Sequence, residues 1–355
     1  MNITVLDTPG YETVVHGVDD AAGLNAFIAV HSTTMGPALG GLRLWNYDDE
    51  ASALSDVLRL SKGMTYKSAI AGTGLGGGKA VIMGDAKTIK SPQLFGAMGR
   101  LIDSLDGLYI TAEDVNIGVA DLVHVAEATP HVTGLSREAG GSGNPSPYTA
   151  HGVYLGIRAS LQHAFGNPSP KGRSVAIQGV GSVARGVVKA LLADGARVIA
   201  ADIDQQKIER VAETHPKIEW VDPAAIYDEE VDIFSPHALG AVINDETLPR
   251  LRCKIVAGAA NNQLAEIRHG EALRARGILY APDFVINAGG IINVGCELSD
   301  GGYDEVAAMG RIENIPNALL RIFADADAEN RPTNETAINV AKKILQSQSA
   351  EVDQS

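Results

Sequence analysis

Residues 174–202 read SVAIQGVGSVARGVVKALLADGARVIAAD, and their order decides the fold. An apolar run, SVAIQ, meets Gly179-Val180-Gly181-Ser182-Val183-Ala184, a GxGxxA pattern that opens an apolar helix and leads to a second run ending at Asp202. Glycine at 179 permits a tight turn, glycine at 181 lets a pyrophosphate reach the backbone N–H groups at a helix start, and small Ala184 lets helix and strand pack closely. Asp202, 23 positions after Gly179, falls where an acid can hold both ribose hydroxyls of a dinucleotide. A 2′-phosphate there would meet like charge from Asp202 and Asp204 with no arginine adjacent, so the expected cofactor is NAD, not NADP.

The same alternation extends outward. A helix from Thr149 precedes this unit, and strands IEWV, VDIFSP and KIVAGA with helices QQKIERVAETH and AEIRHGEALRARG follow it, a pattern that builds a doubly wound parallel sheet. The expected NAD-binding Rossmann domain covers 149–332. Upstream, residues 134–148 concentrate Gly, Ser and Pro and are expected to form a hinge. Residues 1–133 form the other α/β domain: strands ITVL, ETVVHGV, NAFIAV and LGGLRL, a helix from Asp49 to about Met64, strand KAVIMG, a Ser91-capped helix, strand LYIT and helix ADLVHVAEA. A last helix over about 333–355 is expected to pack back on it.

Two domains suit a chain of 355 residues at roughly 150 residues per domain. A net charge of −14 repels phosphate backbones and anionic lipid, which argues against nucleic acid or a membrane surface as partner. There is no basic, then apolar, leader and no run approaching about 18 apolar residues, so a soluble cytoplasmic protein is expected. Cys253 and Cys296 are too few for a disulfide framework and carry no CxxC spacing, and they are expected as buried thiols in a reducing compartment. No metal-ligand spacing occurs, and no metal is expected.

Two further stretches carry chemistry. In GMTYKSAIAGTGLGGGKA, Lys67 and Lys79 flank a glycine run, and Thr73 and Ala80 exclude a phosphate-binding GxxxxGK[ST] loop. Lys79 stands between that run and the apolar AVIM, so its amine is expected at a cleft floor. Two lysines brought together and desolvated lose proton affinity, leaving one able to act as a base and the other to hold a carboxylate. In ITAEDVN, Glu113 and Asp114 are adjacent at a strand end, so only one of them faces a cleft.

Taken together, TTMGPALGGLR (33–43), GMTYK, GGGK, ITAEDVN, SGNPSPYTAHGVY, AIQGVG, DIFSPHALGAVINDETLP, AGAANNQL and YAPDFVINAGGIINV resemble, in order and over nearly the whole chain, the Glu/Leu/Phe/Val amino-acid dehydrogenase family, closest to its leucine-type members. The resemblance implies oxidative deamination of an L-amino acid to a 2-oxo acid and ammonia with NAD, and the reverse. It implies that Lys67 binds the substrate carboxylate, Lys79 is the general base and Asp114 relays protons at the amino group. Gly40, Gly41 and Met64 would line the substrate site, and Leu39, Ala112, Ile291 and Val294 would set side-chain specificity. Asn261 and Asn287 would touch nicotinamide or substrate. Thr149, Ala238 and the turn of Gly179, Val180, Gly181, Ser182 and Val183 would hold the cofactor with Asp202. Four aliphatic walls suit a branched-chain side chain, whereas glutamate would demand a cation. The resemblance also implies a homo-oligomer, a dimer or octamer.

The chain departs from the family at His237, where relatives have Cys, and at Leu42, where they have Thr. The His237 imidazole is expected to serve packing before function. Other classes compete: the same reaction on an aromatic amino acid, a non-catalytic NAD sensor, or a 2-hydroxy-acid dehydrogenase. The last would use a histidine–carboxylate pair and an arginine instead of two lysines.

Overall fold

The computed structural model describes residues 1–352, so the last three positions of the expected C-terminal helix lie outside the described residues. Contacts divide the chain into two units. The first comprises Met1–Asn144, Ile291–Ala307 and the chain from Ala341; the second comprises Pro145–Gly290 and Ala308–Val340. Thus Ile291–Ala307, which a linear reading keeps with the second half, packs with the first.

In chain order the first unit contains β1 (Asn2–Val5), β2 (Thr13–Asp19), β3 (Leu24–Ser32), β4 (Ala38–Trp45), α1 (Glu50–Ala71), β5 (Gly76–Met83), α2 (Pro92–Asp103), β6 (Tyr109–Glu113) and α3 (Val119–Ala126). The strands form one sheet in the order β1-β2-β3-β5-β4-β6. β1, β2, β3 and β5 pair antiparallel, while β4 runs parallel to both β5 and β6. Period-two alternation splits the side chains between two cores. Phe27, Ala29 and Val81 face Ala53 and Val57 of α1. Ala26, Ile28, Leu42, Leu44, Ala80 and Ile82 face Leu94, Met98, Leu101 and Leu122 of α2 and α3.

Two expectations change here. α1 does not end near Met64 but runs to Ala71, closed by Gly72 at φ 61°, whose N–H reaches back to the carbonyls of Ser68 and Ala69; Lys67 is therefore helical. The strand expected from Lys79 begins three residues earlier, with Gly76-Gly77-Gly78 forming the first part of β5. A Cβ at Gly77 would lie 2.0 Å from the Thr65 nitrogen of α1, and one at Gly78 would lie 2.6 Å from the Tyr109 ring. Only glycine lets the strand run beneath the helix at this distance.

The second unit opens with α4 (Ser146–Phe165), three residues earlier than expected, and continues β7 (Ser174–Gln178), α5 (Ser182–Ala193), β8 (Arg197–Ala201), α6 (Gln205–Thr214), β9 (Glu219–Trp220), β10 (Ile233–Pro236), β11 (Ile255–Val256), α7 (Arg268–Ala275), β12 (Leu279–Tyr280) and α8 (Asp283–Ile286). Its six strands are all parallel, in the order β12-β11-β10-β7-β8-β9. This is the doubly wound order, with the switch between β7 and β10. The chain then passes through α9 (Gly289–Gly295), α10 (Glu305–Ile312), α11 (Ile315–Glu329) and α12 (Thr333–Val352). The segment after Asn244 forms one 3-10 turn, Leu248–Arg250.

Candidate functional site

Strand parity gathers the chemistry of the first unit. Gly41 and Arg43 of β4, Lys79 of β5, and Ala112 of β6 with the following Asp114 share the α1 face of the sheet, because Leu42 and Ala80 occupy the opposite core. β4 lies between β5 and β6, so Lys79 must cross it to reach Asp114. It does so over Gly41: Lys79 Nζ lies 2.8 Å from Asp114 Oδ2, and a Cβ at Gly41 would stand 3.1 Å from Nζ and 2.7 Å from Asp114 Cβ. Gly40 is equally constrained, since its Cβ would lie 1.7 Å from the Gly78 carbonyl oxygen, and its own carbonyl accepts the Tyr109 hydroxyl at 2.6 Å.

The charges form a chain. Arg43 Nε donates to Asp114 Oδ2 at 3.0 Å, and its Nη1 donates to Asp56 Oδ2, also at 3.0 Å. Asp56 of α1 accepts further bonds from Tyr47 Oη at 2.7 Å and Arg59 Nη2 at 2.8 Å. Lys79 is only 5% exposed, and burial lowers its proton affinity; Asp114 opposes that shift and Arg43 adds to it, with the net effect downward. Burial alone would raise the Asp114 carboxyl, but Lys79 and Arg43 together hold it below the ordinary carboxylate range. Glu113 points the other way, and burial raises its carboxyl. Of the two adjacent acids, Asp114 is the one at the lysine.

Arg43 is a cation beside Lys79 that the sequence carries within TTMGPALGGLR without marking a role for it, and nothing in the sequence singles out Asp56 or Tyr47. The only signal for Arg43 is parity, since Gly41 and Arg43 share one strand face. Lys67 and Met64 lie half-buried on α1, the helix that packs on β5. Leu39 is fully buried and pairs in register with Gly77, as Gly41 does with Ala112. Ile291 and Val294 are buried on α9. Val294 lies close to Gly134, and the next residue, Gly295, packs near Leu75 just before β5.

In the second unit Gly179, at φ 92°, turns the chain after β7, and a Cβ on it would stand 2.8 Å from Ala238 Cβ. Gly181 is the N-cap of α5 with no side-chain cap, and a Cβ there would meet nothing within 4 Å. Ser182 and Val183 begin that helix, so its uncapped N–H groups face open space suited to an anion. Asp202 accepts Val180 N–H at 2.8 Å on one oxygen and Asp204 N–H at 2.9 Å on the other, which fixes the turn and leaves each oxygen a further lone pair. Ile203 beside it is 91% exposed, an apolar face next to the acid. These residues fit a dinucleotide.

Asn287 donates to Asn261 Oδ1 at 2.7 Å and to the Ala259 carbonyl at 3.0 Å, orienting the exposed Asn261 amide. Thr149 donates to the Pro145 carbonyl at 3.2 Å, and its Oγ1 stands where a side chain on Gly290 would go. His237 Nε2 lies 2.9 Å from Ser235 Oγ, whose proton goes to the Ala257 carbonyl at 2.6 Å, and burial pushes the imidazole down to about 3. It is a neutral hydrogen-bonded ring. Asp245, Glu266 and His269 form the one cluster of metal-ligand types among the described residues, but Arg268 bonds both acids and His269 Nδ1 accepts the Glu266 N–H. No helix among the described residues is long and apolar enough to cross a membrane.

Comparison with known proteins gives the chain's family. Residues 13–131 match the Glu/Leu/Phe/Val dehydrogenase dimerisation domain, and residues 201–343 match the Glutamate/Leucine/Phenylalanine/Valine dehydrogenase domain. The chain is 50% identical to a leucine dehydrogenase of Thermoactinomyces intermedius over 95% of its own length and 91% of the relative's. It is 46% identical to a valine dehydrogenase of Streptomyces albus, over 96% and 93%. The crystal structure of an L-tryptophan dehydrogenase from Nostoc punctiforme superposes with a TM-score of 0.82 at 40% identity, covering 96% of this chain and 97% of that one. An amino-acid dehydrogenase by sequence and by fold, the chain belongs to the Glu/Leu/Phe/Val dehydrogenase family.

Proposed function

We propose that this protein deaminates branched-chain L-amino acids, leucine foremost, to 2-oxo acids and ammonia with NAD, and catalyses the reverse reductive amination. The observation that carries this is the buried Lys79–Asp114 pair at 2.8 Å, in which an amine of lowered proton affinity sits beside a carboxylate held ionised. Bound by the Gly179–Val183 turn, Asp202, Ala238 and Thr149, NAD would accept hydride from the substrate Cα. Lys67 holds the substrate carboxylate, and Gly40 and Gly41 keep side chains out of its way. Neutral Lys79 takes a proton from water as that water's oxygen bonds to the iminium carbon. Asp114, which takes a proton from the substrate ammonium before the hydride leaves, returns it to the nitrogen of the resulting carbinolamine; the C–N bond then breaks, and the hydroxyl proton passes to the departing ammonia as the carbonyl forms. Asn261, fixed by Asn287, orients the reacting group. Because the base works only unprotonated, deamination rises as pH rises through the Lys79 titration.

Leu39, Met64, Ala112, Ile291 and Val294 give the substrate side chain aliphatic surroundings with no cation for a glutamate. Asp202 and Asp204 disfavour a 2′-phosphate, which supports NAD over NADP. With purified protein, NADH should appear with leucine, followed by valine and isoleucine, and more slowly with phenylalanine or tryptophan. No turnover with any L-amino acid despite NAD binding would leave a sensor instead, and faster turnover of tryptophan would transfer the protein to the aromatic branch.

We also infer a homo-oligomer built through the first unit. β1 is an exposed edge strand carrying Ile3 and Val5 on one face, next to the stretch that matches a dimerisation domain. Sedimentation equilibrium should give a mass of at least two chains; a monomer at micromolar concentration would contradict this.

A further inference from the structure

Asp114 spends one oxygen on two cations. Oδ2 takes both Lys79 Nζ at 2.8 Å and Arg43 Nε at 3.0 Å, so Oδ1 is the oxygen outside these contacts. Arg43 is itself held from behind. Its Nη1 lies on Asp56 Oδ2 at 3.0 Å, and Asp56 is fixed by Tyr47 and Arg59 on α1 and the turn before it. A planar guanidinium can serve two acids along different edges at once, whereas a lysine ammonium is a point charge on a flexible stem.

We propose that Arg43 is a positioning residue of this site: braced by Asp56, it pins Asp114 Oδ2 against Lys79 and leaves Oδ1 to exchange the proton at the substrate nitrogen. This rests on the roles given above to Lys79 and Asp114.

The geometry also gives Arg43 and Asp56 opposite effects on the lysine. Groups facing Lys79 come from each neighbouring element: Arg43 from β4, Asp114 from the end of β6, and Asp56 from α1, which also carries Lys67. β3 contributes His31, bonded to Thr65 Oγ1 at 2.9 Å and lowered in proton affinity by burial. Tyr109 of β6 gives its hydroxyl to Gly40, and Glu113 lies on the other strand face. Burial contributes most to lowering the lysine; Asp114 and Asp56 oppose it, and Arg43 reinforces it. Removing the arginine charge must therefore move the amine up, and removing the Asp56 charge must move it down.

Competitive labelling of Lys79 with acetic anhydride across pH, read by mass spectrometry of its peptide in the intact protein, titrates that amine whether or not the enzyme turns over. In Arg43→Met the labelling midpoint should rise by about one pH unit, and the acid limb of kcat/KM should follow, a loss of about tenfold at a fixed pH below the limb. In Asp56→Asn both should fall by about half a unit. Arg43→Lys should keep the midpoint near wild type and still lose turnover, because charge is restored without the two-edged grip. Midpoints that stay put in Arg43→Met and Asp56→Asn, or that move in the same direction, overturn the proposal. Should Arg43→Met not fold, the downward shift in Asp56→Asn decides alone. Full activity in Lys79→Ala would refute the assigned chemistry, and the labelling midpoints would still judge the role of Arg43.

Discussion

A methyl group placed on Gly41 in the first unit would stand 2.7 Å from Asp114 Cβ and 3.1 Å from Lys79 Nζ, whereas one placed on Gly181 in the second unit would meet nothing within 4 Å. The protein itself fills the space over Gly41, with an ion pair stretched across the strand. The space over Gly181 is empty and borders an uncapped helix start. One glycine serves the packing of charged side chains, and the other keeps room for a molecule that is not part of the chain. Catalytic geometry and cofactor affinity should therefore respond separately to substitution at the two positions.

Gly41→Ala should have the largest effect. The added carbon cannot be accommodated without moving Asp114, whose backbone neighbour, the Glu113 carbonyl, would lie 2.8 Å away. A displacement of this size at the reacting groups costs on the order of 10²-fold in turnover. Overpacking adds about 1–3 kcal/mol of destabilisation. NADH affinity, measured by fluorescence titration, should stay within about twofold, well below a kcal/mol of binding energy. A parallel loss of NADH binding would show that the two glycine sites are not independent.

What the sequence discloses follows from the range of the interactions involved. The second unit is legible because each βα step is local: SVAIQ, the glycine turn and the helix after it are contiguous, so periodicity and punctuation suffice. The first unit's strands are also readable one by one, yet Gly76–Gly78 look like a loop until α1 and Tyr109 are seen pressing on β5. Arg43 and Asp114 are 71 positions apart and meet only because β4 pairs parallel with β6, a non-local fact that no window of sequence contains. The sequence singles out Lys79 and the Glu113-Asp114 pair and the family resemblance gives Lys79 and Asp114 their roles, but the groups that tune them, Arg43 and Asp56, are visible only with the register. The placement of Ile291–Ala307 is of the same kind. Those residues follow the parallel sheet in sequence, and Glu297 among them accepts the Gly134 N–H at 3.1 Å and the Ser142 N–H at 2.7 Å, tying them to the first unit.

The smallest effect is expected at Gly181, with Gly179 as its internal contrast. Gly181 has φ −68° and ψ −170°, an extended conformation open to any residue, so Gly181→Ala should fold normally and lose less than about 1 kcal/mol of stability at the helix cap. Its methyl group would occupy the space through which a pyrophosphate approaches the α5 backbone, and the Kd for NADH should rise about tenfold, equivalent to about 1.4 kcal/mol. Gly179→Ala reverses the balance. At φ 92° an alanine is strained by about 1–3 kcal/mol, and its Cβ would stand 2.8 Å from Ala238 Cβ, so urea denaturation should register the change directly. Two positions apart in one turn, one glycine is required by the chain and the other by its ligand. Unchanged NADH affinity in Gly181→Ala would mean that the nucleotide does not approach the protein through this turn.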